Sequence, residues 1–348
     1  MERADQVLVE GRARVMDLRA AMAAPGELST AFTRLRCPVG GPRAGARAAR
    51  FEVGRASLHR GRRASGHRCT VRLAVLPSCP ESTMSAAPPD TIVLIHGLWM
   101  TPRSWEHWVE RFKARGYNVL APAYPGLEVE VEALREDPAP IEKLTIEETA
   151  HHLETLIRGL PRPPILIGHS FGGAMVQILL DRGLGAAGVA IDSVQVKGVL
   201  RLPFTTLKAT FPILANPANR HRAVPFTHEQ FHYAFTNTLT EAQSRAVYER
   251  YHVPAPGRFL FDGALANFNP HAATKVDFDK EDRAPLLFIA GSEDNIMPAS
   301  LNKSNARHYN SGIVSYKEFP GRSHYICGQE GWEEVADHAL SWALNPTA

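Results

Sequence analysis

"PPILIGHSFGGAMVQILL" (residues 163–180) starts as a continuous apolar strand and ends as an apolar helix, with one hydroxyl, Ser170, at the corner. Gly168-His169-Ser170-Phe171-Gly172 fits G-x-S-x-G, which marks a nucleophile elbow when a strand precedes it and a helix follows. The turn forces the serine into strained backbone geometry and lifts its hydroxyl over the carboxyl ends of the strands. Ligands bind there in open α/β sheets. Gly168 and Gly172 leave room for helix and strand to approach, and Gly173 lets the helix pack on the sheet. An ordinary Gly-Ser turn has the same letters; the strand before it and the helix after it give the motif its content.

A serine hydroxyl is a weak nucleophile and needs a base, which in turn needs an orienting group. In this arrangement the chain order is serine, acid, histidine. "PLLFIAG" reads as a strand and is followed by "SEDNIMP", which sets Asp294 just past a strand end. "IVSYKEFPG" reads as the last strand and is followed by "RSH", which sets His324 in the next loop. Both should lie on the same sheet edge as Ser170, with His324 as base and Asp294 as its orienter. Glu293 and Asp192 are the competing acids, Asp192 because it directly follows the strand "AGVAI". The oxyanion formed on acyl attack needs two N–H donors. The backbone of Phe171 supplies one, and Leu98 in the loop "HGLWM" supplies the other, with Trp99 beside it. His96 is expected to brace that loop.

From Thr91 onward, apolar strands alternate with amphipathic helices. "TPRSWEHWVERFKARG" reads as a helix with Thr101 as N-cap, Pro102 in the first turn and Gly116 at its end. "TIEETAHHLETLIRGL" carries a capping box, Thr145 with Glu148. Continuous apolar strands between helices imply an α/β architecture, a mostly parallel sheet covered on both faces.

Taken in order, "HGLW", "GHSFGG", "GSEDNIMP" and "GRSH" resemble the α/β-hydrolase superfamily from about Thr91 to the C-terminus. The resemblance implies serine-histidine-acid chemistry, no cofactor, and a lid inserted between strands. It does not imply a substrate, because the fold hosts many chemistries. A serine nucleophile disfavours haloalkane dehalogenase and epoxide hydrolase activity, where relatives use aspartate. The strands that usually precede "TIVLIHG" are not evident.

On this reading, residues 84–198 and 282–348 form the core and residues 199–281 a helical cap. The cap is rich in aromatics, and Trp99, Phe231 and Phe235 are the expected pocket wall. Within it, His228-Glu229-Gln230-Phe231-His232 matches the zinc pattern H-E-x-x-H. No third ligand follows at a recognisable spacing, and Thr227 as a helix N-cap explains the residues equally well. No metal site is therefore expected.

Residues 1–83 contain 15 Arg, no Lys and 7 acidic residues, a balance of +8; the remainder holds 24 basic and 29 acidic side chains, a balance of −5. The slightly acidic body disfavours nucleic acid as a partner. The Arg-rich leader reads as a disordered extension or as coding sequence assigned upstream of the true start, with Met84 a plausible beginning. The apolar patch "VRLAVLP" is too short for a secretory signal and contains Arg72. Three cysteines (Cys37, Cys69, Cys79) fall in the leader, so Cys327 has no partner in the body; a reducing cytoplasmic setting is expected. No apolar run reaches the roughly 18 residues of a membrane span.

The reading that follows is a serine esterase acting on a small, largely apolar ester through an acyl-serine. A lactonase, a C–C bond hydrolase, a cofactor-free perhydrolase or an acyltransferase could use the same residues. A ligand-binding receptor-like relative is the non-enzymatic alternative. Oligomeric state is not readable from the chain.

Overall fold

The computed structural model describes residues 88–348. The expectations for residues 1–83, including the three leader cysteines, lie outside the described residues.

The chain runs β1 (Thr91–Ile95), α1 (Glu106–Ala114), β2 (Asn118–Leu120), α2 (Val131–Glu136), α3 (Ile146–Arg158), β3 (Ile165–His169), α4 (Phe171–Asp181) and β4 (Ala187–Ile191). An inserted segment follows, with α5 (Phe204–Leu214), β5 (Ala223–Val224), α6 (His228–Phe235), α7 (Glu241–Tyr251), β6 (Ala255–Pro256) and α8 (Gly257–Ala264). The chain then returns to the sheet with β7 (Leu286–Gly291), α9 (Ala299–Ala306), β8 (Val314–Phe319) and α10 (Trp332–Leu344).

Six strands form one parallel sheet in the order β2-β1-β3-β4-β7-β8. β5 and β6 form a separate antiparallel pair. β1, β3, β4 and β7 are buried along their whole length, as expected of strands covered on both faces. Alternate side chains divide the core. Ile92 and Leu94 join Trp108, Phe112, Val335 and Leu340 on the α1–α10 side. Val93 and Ile95 face the opposite side with Leu153, Met175 and Leu301, from α3, α4 and α9.

Local signals produce the helices as expected, with one difference. Thr145 and Glu148 form a reciprocal capping box at the start of α3. Thr101 caps a 3-10 turn over Pro102–Trp105, and only then does α1 begin at Glu106. The tighter first turn is common at a helix start that opens with proline.

α4 is buried on all sides except its last residue, so its first turn presses against neighbouring strands. A Cβ on Gly168 would lie 2.1 Å from the Gly172 carbonyl oxygen, and one on Gly172 would lie 2.0 Å from the Ile95 carbonyl oxygen. Backbone cannot yield at such distances without moving the sheet. Gly172→Ala is therefore expected to lower stability by about 3 kcal/mol or more, read as a lower urea midpoint; an unchanged midpoint would mean that the elbow is not tightly packed.

Candidate active site

Ser170 follows β3 directly and has φ +58. Among the described residues only two other non-glycine residues have positive φ: Trp99 at +61 and Asp192 at +43. Trp99 lies in the loop after β1, and Asp192 directly follows β4. All three lie past the carboxyl ends of neighbouring strands, at a point where the chain leaves β1 for β2 on one side and β3 on the other. Backbone of this kind costs on the order of 1–3 kcal/mol per residue and persists only where the surroundings enforce it.

Asp294 and His324, thirty positions apart, meet in the interior. The carboxylate Oδ2 of Asp294 lies 2.6 Å from Nδ1 of His324, and both side chains are fully buried. The other oxygen of Asp294, Oδ1, accepts N–H bonds from Ile296 and Met297, each at 2.8 Å. With three N–H groups around it, the carboxylate is oriented and kept acceptor-only. The remaining ring nitrogen of His324, Nε2, is buried with no partner among the described residues. Phe235 packs edge-on against the imidazole at 4.7 Å.

Leu98 and Phe171, the expected oxyanion donors, sit in the loop after β1 and in the first turn of α4. Neither backbone N–H donates to an acceptor among the described residues. The α4 N-terminus adds its unpaired N–H groups and positive dipole end at the same place. His96 bonds through Nδ1 to the Gly97 carbonyl at 2.8 Å, and its Nε2 accepts from the Tyr124 N–H at 3.4 Å. The ring thus links the loop to the segment after β2.

Of the competing acids, Glu293 is exposed. Asp192 is fully buried; its Oδ1 accepts from Gly291 N–H at 2.8 Å, and its Oδ2 has no partner among the described residues. Burial, with the Asp294 charge beside it, holds the Asp192 carboxyl well above the usual carboxylate range. Polar atoms of His169, Asp192 and His324 lie within 4.8 Å of one another. The Nε2 of His169 is occupied by the His324 carbonyl at 2.8 Å, and the Nδ1 of His324 by Asp294. His169 was not foreseen; its only sequence signal is its place beside Ser170.

The H-E-x-x-H residues lie on α6, whose N-cap Thr227 forms a capping box with Gln230. His228 Nε2 meets Ser244 Oγ at 3.2 Å, and its Nδ1 meets Arg245 at 3.2 Å. Both ring nitrogens have protein partners.

Trp99, Phe231 and Phe235 form an aromatic cluster that reaches His324 through Phe235. All are buried; Trp99 stacks on Phe226 at 4.2 Å, and Phe231 stacks on Phe235 at 4.8 Å. The cavity beside the site has a volume of about 310 Å³ and is lined by Phe171, Val194, Val199, Thr206, Leu260 and Met297, among others. The three aromatics do not line this cavity: Phe231 and Phe235 lie on α6, and Trp99 reaches from the loop after β1 to stack on Phe226. Besides the Phe235 ring, the insert contacts the site through its backbone: Trp99 Nε1 donates to the Val224 carbonyl at 3.1 Å, Val253 N–H to Trp99 O at 3.0 Å, and Tyr325 N–H to Phe235 O at 2.9 Å.

Comparison with known proteins agrees with this fold. Residues 92–338 match the model of the alpha/beta hydrolase family, and the chain belongs to that family. No curated protein matches the sequence. Among solved structures, the monoacylglycerol lipase of Paleococcus ferrophilus is similar, with TM-score 0.51, 19% identity, and 74% of this chain and 95% of that one covered. An extracellular alpha/beta-hydrolase from a Paenibacillus species matches with TM-score 0.54 and 20% identity, over 74% of this chain and 100% of that one. A pyrethroid hydrolase from Sphingobium faniae matches with TM-score 0.54 and 17% identity, over 74% and 98%. At these identities the likeness is one of fold.

Burial pushes the His96 imidazole down to about 4 and His252 to about 3, and holds His169 well below the ordinary histidine range. Each histidine is neutral when folded and binds a proton more readily when unfolded. Stability is therefore present above pH 6.5 and falls as pH drops below it, His96 alone contributing about 3 kcal/mol of loss by pH 4. Urea midpoints measured from pH 7 to pH 4 should fall steeply, and His96→Asn should flatten the slope.

Proposed function

We propose that the protein is a serine hydrolase that cleaves a carboxylic ester, or a related acyl bond, of a small apolar substrate through an acyl-serine intermediate. The observation that carries this reading is the 2.6 Å contact of Asp294 with His324 Nδ1, which leaves Nε2 as the one ring nitrogen able to take a proton.

Ser170 Oγ attacks the carbonyl carbon while His324 Nε2 takes the hydroxyl proton. Asp294 holds the tautomer with Nδ1 protonated and stabilises the imidazolium as it forms. The carbonyl oxygen gains negative charge between the N–H groups of Phe171 and Leu98. These groups have no internal acceptor to give up, so they are pre-aimed and cost no rearrangement. His324 then returns the proton to the leaving oxygen, and the alcohol departs. Water repeats the sequence on the acyl-serine, releasing the acid and the free hydroxyl. The cavity beside Phe171 is walled mainly by Val, Leu, Phe and Met, which favours an apolar group on the substrate.

Ser170→Ala should abolish labelling by a fluorophosphonate probe and reduce p-nitrophenyl ester turnover by about 10³-fold or more, with an unchanged unfolding midpoint. Turnover at the wild-type rate in that variant would refute the mechanism. Asp294→Asn should reduce kcat by roughly 10³–10⁴-fold with little change in KM. A panel of esters, lactones and β-diketones run on the wild type separates the acyl chemistries that share these residues.

A further inference from the structure

The inserted segment carries an amphipathic helix facing the wrong way for a monomer in water. On α5, Phe204, Leu207 and Phe211 recur at helical spacing and point outward, with Phe204 77% and Phe211 66% exposed, while the small Thr206, Ala209 and Thr210 face inward. A surface helix ordinarily buries its large apolar residues. Leu200, Leu202 and Phe268 continue the patch, with Leu200 81% and Phe268 85% exposed. Leu200, Leu202, Leu207 and Phe268 are also lining residues of the cavity beside Phe171. The apolar surface is thus the rim of that cavity.

Asp262, which precedes the lining residues Gly263 and Ala264 in the chain, is paired with Arg220 and Arg258. No Asp or Glu occurs from Ser193 to His228, a stretch that includes Arg201 and Lys208, both exposed. Arg201 also lines the cavity. Large apolar side chains interspersed with cations fit an anionic lipid interface. The other candidates do not fit: residues 1–83 carry a balance of +8, and a second copy would bring the same cations, so either would oppose like charges.

We propose that this face docks on an anionic phospholipid surface, with the cavity mouth turned toward the acyl region. The substrate is then an ester carried in the lipid phase, a clause that rests on the acyl-serine reading. The test is sedimentation of the full chain with phosphatidylcholine vesicles, with and without phosphatidylglycerol. The comparison variant is Phe204→Ser/Phe211→Ser, since neither residue lines the cavity. Wild type should bind the phosphatidylglycerol vesicles, and the double variant should bind at least about tenfold more weakly. The variant should hydrolyse a short water-soluble ester at the wild-type rate. No binding by wild type would overturn the proposal, as would undiminished binding by the variant, because the Arg-rich leader would then be the anchor. A solution dimer split by the double variant would assign the face to a second copy instead. Ser170→Ala should bind vesicles as wild type does, so docking and the chemical mechanism fail separately.

A second observation is independent of that surface. The buried Oδ2 of Asp192 has no partner among the described residues, and the Asp192 carboxylate lies within 4.8 Å of the His324 ring that Asp294 binds, while Asp294 itself accepts three N–H groups. Two carboxylates side by side in a dry interior cannot both ionise, and the one with more donors keeps the charge. The geometry points to Asp192 as a positioning residue that stays protonated and donates Oδ2–H to Asp294. The groups facing it are Asp294, His324, His169, Tyr316 and Cys327. Ionisation of Asp192 at alkaline pH would put a second negative charge against Asp294, so wild-type kcat should fall there.

Asp192→Asn keeps a donor for Asp294 and an acceptor for Gly291, and should rescue activity while removing the alkaline fall. Asp192→Ala should lower kcat by about 10–100-fold with KM little changed. An inactive Asp192→Asn beside an active Asp294→Asn would make Asp192 the catalytic acid and overturn the assignment. An alkaline limb unchanged in Asp192→Asn would overturn it too. Because the acyl-serine reading, on which this rests, is tested at Ser170, the two can fail separately.

Discussion

The backbone of α4 lies so close to the end of β1 that no side-chain atom fits between them. Gly172 lies under the Ile95 carbonyl, and Gly168 faces the Gly172 carbonyl across the turn. This contact fixes three things together: the strained φ of Ser170, the direction of the Phe171 N–H, and the distance from the elbow to the Leu98 loop. The sheet enforces it, since β3 is paired along its length with β1 and β4. The strained residues Trp99, Ser170 and Asp192 share one rim because the tightly packed parallel strands over-determine the backbone where they end.

Behind that rim the polar groups are ordered by the absence of water. His96 and His169 are neutral rings engaged with backbone carbonyls, so they act as structural braces. Charge is concentrated on Asp294, the carboxylate with the most donors. In a low-dielectric interior each such bond is stronger, and each unpaired group is more costly, than at the surface. The buried, unpartnered Nε2 of His324 and Oδ2 of Asp192 are therefore the two positions where this site departs from full satisfaction. Unsatisfied buried groups of this kind cluster where chemistry or binding completes them.

The insert is coupled to the site through backbone as well as packing. One set of bonds joins it to the Trp99 loop beside Leu98, and another joins Phe235 to the residue after His324. Its outward face, by contrast, makes no use of its largest apolar residues in holding the fold.

Local periodicity gave the strand and helix order from Thr91 onward because each signal acts over a few residues. A capping box, a Gly-flanked serine and a continuous β-branched run each determine their own neighbourhood. The order of Ser170, Asp294 and His324 past strand ends was legible for the same reason. Asp294 was chosen there over Asp192 and Glu293, although Asp192 also follows a strand, and the packed loops bring Asp294 Oδ2 to Nδ1. The cavity wall was hidden. Aromatic content pointed to Trp99, Phe231 and Phe235, yet their rings pack on one another, and smaller aliphatic residues before and within α5 line the space. Composition and spacing thus determined the elements and the rim on which the polar residues stand; side-chain direction and partner choice were left to tertiary packing, because they depend on contacts between segments thirty to more than a hundred residues apart.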